Sequence, residues 1–359
     1  MHNHIVSIGT ANPGEPIPQH RIGEFMKLAH GLSPEEARKL SFVYRVSGIK
    51  TRYSVLTDFN FTDPLSFKFF PKNKDLEPFP TTKERMKVFE ERATELGIAA
   101  ISKCLERSKV KVGDITHLIL VSCTGMYAPG VEMEIIEKMG FKSTIERYSI
   151  HFMGCYASFN AIKLADRICD SDLKANVLVL SVEICTIHFQ KEYTEDNLIA
   201  NALFGDGAAA ALITKSQHGL RIKDYESQIF REGETDMAWH IGDFGFEMKL
   251  SKYVPELLEK GIRKFKLSLE NRFGLSKIRQ FAIHPGGSQI LNKVEQVMGI
   301  DKEQNSHSHQ VLSNFGNMSS ASILFVLEAV LQEAVDKGEM LVMGFGPGLT
   351  LETLLVERV

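Results

Sequence analysis

Three residues of this chain have the types and settings of a nucleophile, its base and a neutral hydrogen-bond donor: Cys155, His284 and Asn317. Cys155 follows a glycine in "HFMGCYASFNAIKLADRI", where an apolar stretch turns into a helix. A helix N-terminus carries about half a positive charge and unpaired N–H groups. Both favour a thiolate and would lower the pKa from about 8.5 toward the 3.5–7.5 range of reactive cysteines. Gly154 lets the backbone turn tightly into that helix. The other reading is a buried structural cysteine, as for Cys104, Cys169 and Cys185, and position alone leaves both open. A thiolate nucleophile needs a base or an imidazolium partner. Among the 12 histidines, His2, His4, His218, His307 and His309 sit in polar stretches. His284 instead ends an apolar strand before "PGG", where a side chain either projects into a cleft or packs a turn. Asn317 opens a helix after Gly316, as Cys155 does after Gly154. Asparagine is a good N-cap. Beside a histidine it is also a permanent neutral donor, suited to an enolate or oxyanion because it adds no second base. Cysteine, histidine and asparagine occur in this order in papain-like proteases too, but no Cys-Trp signature flanks Cys155. A non-catalytic scaffold is the reading of another class.

The elements that would position these residues alternate between apolar strands and helices, which argues for an α/β fold. "HIVSIGTA", "THLILVSC", "ANVLVLSVE", "RQFAIHPGG" and "EMLVMGFGPG" read as strands. "PEEARKLSFVYRVSG", the stretch from Thr82 to Ser108, "VPELLEKGIRKFKLSLENRFG" and "SASILFVLEAVLQEAVDKG" have helical periodicity. "GDGAAAALI" into "LRIKDYES" reads as strand pairing, and the Phe- and Pro-rich residues 58–81 as an irregular surface loop. A faint internal repeat runs through the chain. Gly154-Cys155 and Gly316-Asn317 each open a helix rich in small residues, with a strand following at nearly the same distance. Two related halves, 1–215 and 216–359, would bring the starts of two helices to a shared centre.

Bulk properties narrow the class. The chain has 359 residues, 43% hydrophobic and 24% charged, enough for about two domains and a sizeable core. A net charge of −3 gives no sign of a nucleic-acid partner. No apolar run is long enough to span a membrane, and the N-terminus lacks the pattern of a signal peptide. Five cysteines without CxxC spacing argue against a disulfide framework or a metal site and for reduced thiols in a cytoplasmic protein.

The stretches "IGTANPG", "GIKTRY", "MGCYAS", "ALFGDGAAA", "HPGG", "GNMSSAS" and "GFGPGLT" resemble type III polyketide synthases, the chalcone synthase-like family of the thiolase superfamily. The likeness runs from about residue 5 to the C-terminus. It implies a thiolase-like, duplicated five-layered αβαβα fold and a homodimer. It also implies a catalytic trio of Cys155, His284 and Asn317. The implied chemistry is decarboxylative condensation of malonyl-CoA units onto an acyl starter held on Cys155, with cyclisation to a pyrone or phenolic ring and no cofactor. The resemblance places Phe204 between a CoA tunnel and the cavity, and Pro129 in a dimer-facing loop. The second gatekeeper, usually phenylalanine, falls on Met248. A cavity glycine falls on Trp239, a cavity threonine on His188, and two neighbours on Cys123 and Thr124. Ser319, Gly346 and Pro347 complete the implied cavity wall, and Lys39, Arg45, Lys50 and Gly287 the implied tunnel. Two basic tunnel positions fall on Phe42 and Val46, so phosphate binding must differ and an acyl carrier protein becomes a candidate donor. The alternative within the superfamily is a single-condensation ketoacyl synthase III-like enzyme. Trp239 and His188 would shrink the cavity and limit the number of extensions.

Overall fold

The computed structural model describes residues 2–359 apart from 234, 235, 252 and 334–336. The first half runs β1 (His2–Ala11), β2 (Ile17–Pro18), α1 (Gln19–Ala29), α2 (Pro34–Val46), β3 (Thr51–Arg52), α3 (Thr82–Ser108), β4 (His117–Ser122), α4 (Val131–Met139), β5 (Glu146–His151), α5 (Ala157–Ser171), β6 (Asn176–Ile184), α6 (Glu195–Leu203) and β7 (Asp206–Ser216). The second runs β8 (Leu220–Ile229), β9 (Met237–Gly242), β10 (Gly245–Leu250), α7 (Val254–Phe273), β11 (Gln280–Ile283), α8 (Ser288–Met298), α9 (Ser306–Phe315), α10 (Ser322–Gln332), β12 (Gly338–Gly346) and β13 (Thr350–Arg358). Local chemistry sets several starts. Ser33 with Glu36 and Thr81 with Glu84 form reciprocal capping boxes on α2 and α3.

Nine strands form one sheet in the order β11-β12-β13-β8-β1-β7-β6-β4-β5. Read outward from the β1–β8 contact, the two sides repeat: β1-β7-β6-β4 on one, β8-β13-β12-β11 on the other. The chain is thus an internal duplication. β7 and β8 are consecutive in sequence but do not pair with each other, against the expectation of strand pairing there. β1 lies between them and bonds to both, because β7 is buried on both faces and takes β1 and β6 as its two neighbours.

Side chains alternate along each strand, and the alternation sorts them into three cores. Leu118, Leu120, Leu178 and Leu180 face α3. Ile119, Val121, Val177 and Val179 face a middle layer of α5 and α10, which Met340, Val342 and Leu354 cover from the other side. Leu341, Met343 and Leu351 face α7 and α8. The result is the layer order αβαβα.

Three local expectations are corrected. Residues 58–81 are irregular but not a surface loop: Phe59, Phe67, Phe70 and Leu76 are buried. Their rings pack on Phe25 and Phe189, and Asp58 Oδ1 accepts the N–H groups of Lys68, Phe69 and Phe70 at 2.9–3.1 Å. Asn317 does not open a helix directly. A 3-10 turn at Ser319–Ala321 intervenes before α10. That helix ends at Gln332, since Glu333 is extended, and part of the longer helix expected there lies outside the described residues.

Candidate active site

Cys155 stands at the head of α5, two residues before its first helical residue. Gly154 holds φ +81, and a Cβ there would lie 2.1 Å from Pro347 Cδ. The glycine-rich turn after β12 therefore packs directly on the loop that carries the thiol. Gly346 is held to glycine by the same contact, since a Cβ on it would lie 2.6 Å from Tyr156 Cδ1 and 3.2 Å from Cys155 N. His284 is the first residue beyond β11, and its N–H donates to the Met343 carbonyl at 2.8 Å. Asn317 is held by four bonds: its N–H to Leu203 O at 2.9 Å, its carbonyl from Gly205 N–H at 2.9 Å, Nδ2 to Gly286 O at 3.3 Å, and Oδ1 from Ser319 N–H at 2.9 Å.

Cys155, His284 and Asn317 line one cavity of about 400 Å³ together with Phe204, Met248 and Pro347. This arrangement can present a thiol and two donors to one thioester carbonyl. The electrostatics differ from the ion pair that the helix-terminus argument favours. Burial pushes the Cys155 thiol up to about 12; hydrogen bonds from Ser319 and Asn317 lower it, and the Glu183 carboxylate raises it. Burial draws His284 down to about 3, and neither ring nitrogen has a hydrogen-bond partner. Without a direct bond between them, neither charge offsets the other's desolvation. Burial thus favours a neutral thiol beside a neutral imidazole.

Beneath the thiol is a group that sequence reasoning missed. Glu183 is fully buried and accepts from Cys123 N–H at 3.0 Å, Thr124 Oγ1 at 2.8 Å and the Ser320 hydroxyl. Its only signal was a carboxylate near the end of an otherwise apolar strand. Cys123 and Thr124 line a space of about 300 Å³ with Cys155, Cys185, Trp239 and Ser319.

The cavities are adjacent and share wall residues. An outer mouth of about 910 Å³, lined by Phe42, Val46, Leu203, Val254 and Gly287, shares Leu250, Gly286 and Ile290 with the Cys155 cavity. An inner chamber of about 560 Å³ reaches α1 and α6 and is lined by His188, Trp239 and Phe246. Phe204 and Met248 line both the Cys155 cavity and the inner chamber, so they stand at the junction. Of the four residues assigned to the tunnel, Gly287 lines the mouth. Lys39 is exposed and paired with Glu195 at 3.8 Å. Arg45 lies over the Phe42 ring at 5.5 Å. Lys50 engages Ser313 and Gln19 through its backbone and leaves its side chain exposed.

Family models place the chain. The N-terminal domain of chalcone and stilbene synthases matches residues 2–217, and the C-terminal domain matches residues 222–359. Type III polyketide synthase A of Arabidopsis thaliana is 29% identical over 99% of this chain and 92% of its own. The alpha-pyrone synthesis polyketide synthase-like Pks18 of Mycobacterium tuberculosis is 30% identical over 91% of this chain and 84% of its own. Probable polyketide synthase 1 of Dictyostelium discoideum is 29% identical over 99% of this chain, which spans 11% of that much longer protein. The crystal structure of the C-terminal type III polyketide synthase domain of Steely1, a type I/III hybrid from Dictyostelium, superposes with a TM-score of 0.92 at 26% identity, with all of both chains covered. A large mixed sheet flanked by helices, in the layering of the thiolase-like fold, carries these matches across both halves, and the chain belongs to the chalcone and stilbene synthase family as a type III polyketide synthase, an acyltransferase of decarboxylative condensation.

Proposed function

We propose that this enzyme condenses malonyl-CoA units repeatedly onto an acyl starter bound to Cys155 and releases a cyclised product, an alpha-pyrone or a phenolic ring. The observation that carries the reading is the single cavity shared by Cys155, His284 and Asn317, bordered by an apolar mouth on one side and an inner chamber on the other. The starter thioester enters through the mouth. His284 takes the thiol proton as Cys155 Sγ attacks the carbonyl, and the departing thiol takes the proton back. The acyl group stays on Cys155. A malonyl thioester follows, and His284 and Asn317 donate to its thioester oxygen. Carbon dioxide leaves, and the electron pair of the broken bond becomes an enolate that these donors stabilise. The enolate carbon attacks the acyl carbonyl on Cys155, and the Sγ–C bond breaks. Reloading the lengthened chain on Cys155 starts the next round. These steps call for no metal or redox cofactor, because loss of carbon dioxide supplies the driving force.

The donor's carrier is a second question. The mouth presents Phe42 and Val46, 53% and 47% exposed, where cations would grip CoA phosphates. This favours delivery of some acyl groups by an acyl carrier protein, with CoA esters as the other source. The same reading makes the enzyme a homodimer through the sheet edge: β5 is the outermost strand, and Met126, Met133, Tyr148 and Met153 are exposed around it. Among the described residues no helix is long and apolar enough to cross a membrane, and we place the enzyme in the cytoplasm. The deciding experiment is incubation with malonyl-CoA and a panel of acyl-CoA and acyl-carrier-protein starters, read by mass spectrometry. Cyclised products containing two or more malonate-derived units support the reading. A linear product of one condensation with every starter overturns it in favour of the ketoacyl synthase III-like alternative.

A further inference from the structure

The inner chamber is closed on one side by the β9–β10 hairpin, and one side chain ties that hairpin to the active-site wall. His188 is buried, and both ring nitrogens are bonded to backbone. Nδ1 accepts the Phe246 N–H at 2.9 Å, and Nε2 reaches the Thr124 carbonyl at 2.7 Å. The first partner can only donate and the second can only accept. The ring is therefore neutral with its proton on Nε2. It also lies flat on the Phe246 ring, with centroids 4.1 Å apart and planes 9° apart. Thr124 belongs to the loop after β4, and Phe246 belongs to β10. A second tie runs parallel: Trp239 Nε1 donates to the Cys123 carbonyl at 2.7 Å. Trp239 and Met248 are direct partners across the hairpin, so whatever fixes the hairpin fixes both walls.

We propose that His188 is a positioning residue for product length: it struts the β9–β10 hairpin against the loop of Cys123 and Thr124 and thereby holds Trp239 across the inner chamber. This rests on the iterative reading above. It differs from a role for bulk alone. A side chain that only filled space could be replaced by any of equal size, whereas a strut must offer one donor and one acceptor at once. Losing both bonds leaves a buried carbonyl and a buried N–H without partners, and the hairpin then relaxes away from the β4 loop.

The test separates bulk from bonding. His188→Leu keeps most of the volume and loses both bonds. His188→Gln keeps a donor and an acceptor. Trp239 is the chain's one tryptophan, so its emission reports on the hairpin without any substrate. For His188→Leu we expect red-shifted, more readily quenched emission and a product ladder extended by one or more malonate units. Loading of the starter on Cys155, read as intact-protein mass, is followed alongside so that a change in the ladder is not taken for a loading defect. His188→Gln keeps both the wild-type emission and the wild-type ladder. An unchanged ladder in His188→Leu overturns the proposal, whether or not the emission moves. A His188→Gln variant that behaves like His188→Leu overturns it too. If His188→Leu does not fold, His188→Phe takes its place, since it keeps a ring to lie on Phe246 and loses both bonds; an unchanged ladder there also overturns the strut. A wild-type enzyme that forms no polyketide would instead sink the iterative reading, while the emission comparison would still report on the clasp.

Discussion

The two halves of the sheet share a strand order but present different chemistry at the matching place. In the first half the residue after the glycine is Cys155, at the head of α5. In the second it is Asn317, before a 3-10 turn and α10. The first half also keeps an outermost strand, β5, parallel to β4. The second half has no such strand beyond β11 among the described residues. There the Phe281 N–H donates to the Gln304 carbonyl, and the Ile283 N–H is taken by Ser308 Oγ at 2.9 Å and Asn305 Oδ1 at 3.3 Å. One backbone carbonyl and two side chains replace a strand, and the strand end they steady carries His284. On the proposed mechanism the first half supplies the nucleophile at a helix head, and the second half supplies the donors, Asn317 before a 3-10 turn and His284 at a strand end.

If the halves divide the labour in this way, the largest effect comes from removing the nucleophile. Cys155→Ala should reduce condensation to the uncatalysed background and leave malonyl-CoA decarboxylation measurable, because His284 and Asn317 remain. Carbon dioxide release without product, followed with labelled malonyl-CoA, checks this. Loss of both activities to the same extent would mean that the halves do not act separately. Asn317→Ala is the converse. Decarboxylation should fall about 10²–10³-fold, the usual effect of losing one such donor, while starter loading on Cys155 continues. A variant that decarboxylates at the wild-type rate would contradict the assignment.

A smaller effect probes the substitute for the missing strand. Asn305 also donates to the buried Glu295 at 2.9 Å. Asn305→Ala leaves that carboxylate one donor short and weakens the hold on β11. The expected cost is about 1–3 kcal/mol, read by urea denaturation. An unchanged midpoint would show that Ser308 alone carries the edge.

Much of this division was legible in the sequence. The Gly-Cys and Gly-Asn echoes, each followed by a strand at a similar distance, marked the duplication, and "HPGG" marked a histidine at a strand end. What was not legible was long-range. Nothing near β7 and β8 says that β1 inserts between them, because that depends on pairing about 200 residues apart. The aromatic run at 58–81 read as surface because its prolines and lysines hid the alternation of buried rings around Asp58. His188 read as bulk, since its two backbone partners lie 64 and 58 residues away. The thiolate argument considered the helix terminus and not the depth of burial, which pushes the Cys155 thiol up.

That last point leaves a comparison between two histidines, one from each half. Burial lowers both His188 and His284 to about 3. The nitrogens of His188 are both bonded, and those of His284 are both free. For a histidine neutral in the folded state, the unfolded chain binds the extra proton below pH 6.5. The stability it contributes is therefore present above 6.5 and lost as pH falls toward 3. Between pH 7 and pH 5, wild type should lose about 2 kcal/mol relative to His284→Gln, from about 1.36 kcal/mol per pH unit over 1.5 units. An imidazolium paired with a Cys155 thiolate binds the same number of protons as the neutral pair, so it gives the same slope, and only a probe of the thiol itself tells the two apart. Denaturation midpoints for wild type and His284→Gln at pH 7 and pH 5 check that loss; an unchanged difference would mean that the folded state takes up a proton at this site. His188→Gln serves as the control, because its bonded ring must follow the neutral pattern. Iodoacetamide at pH 6 separates the neutral pair from the ion pair, because only the thiolate reacts. Slow labelling of Cys155 that matches the other buried thiols goes with the neutral pair, and fast labelling that His284→Gln slows goes with the ion pair.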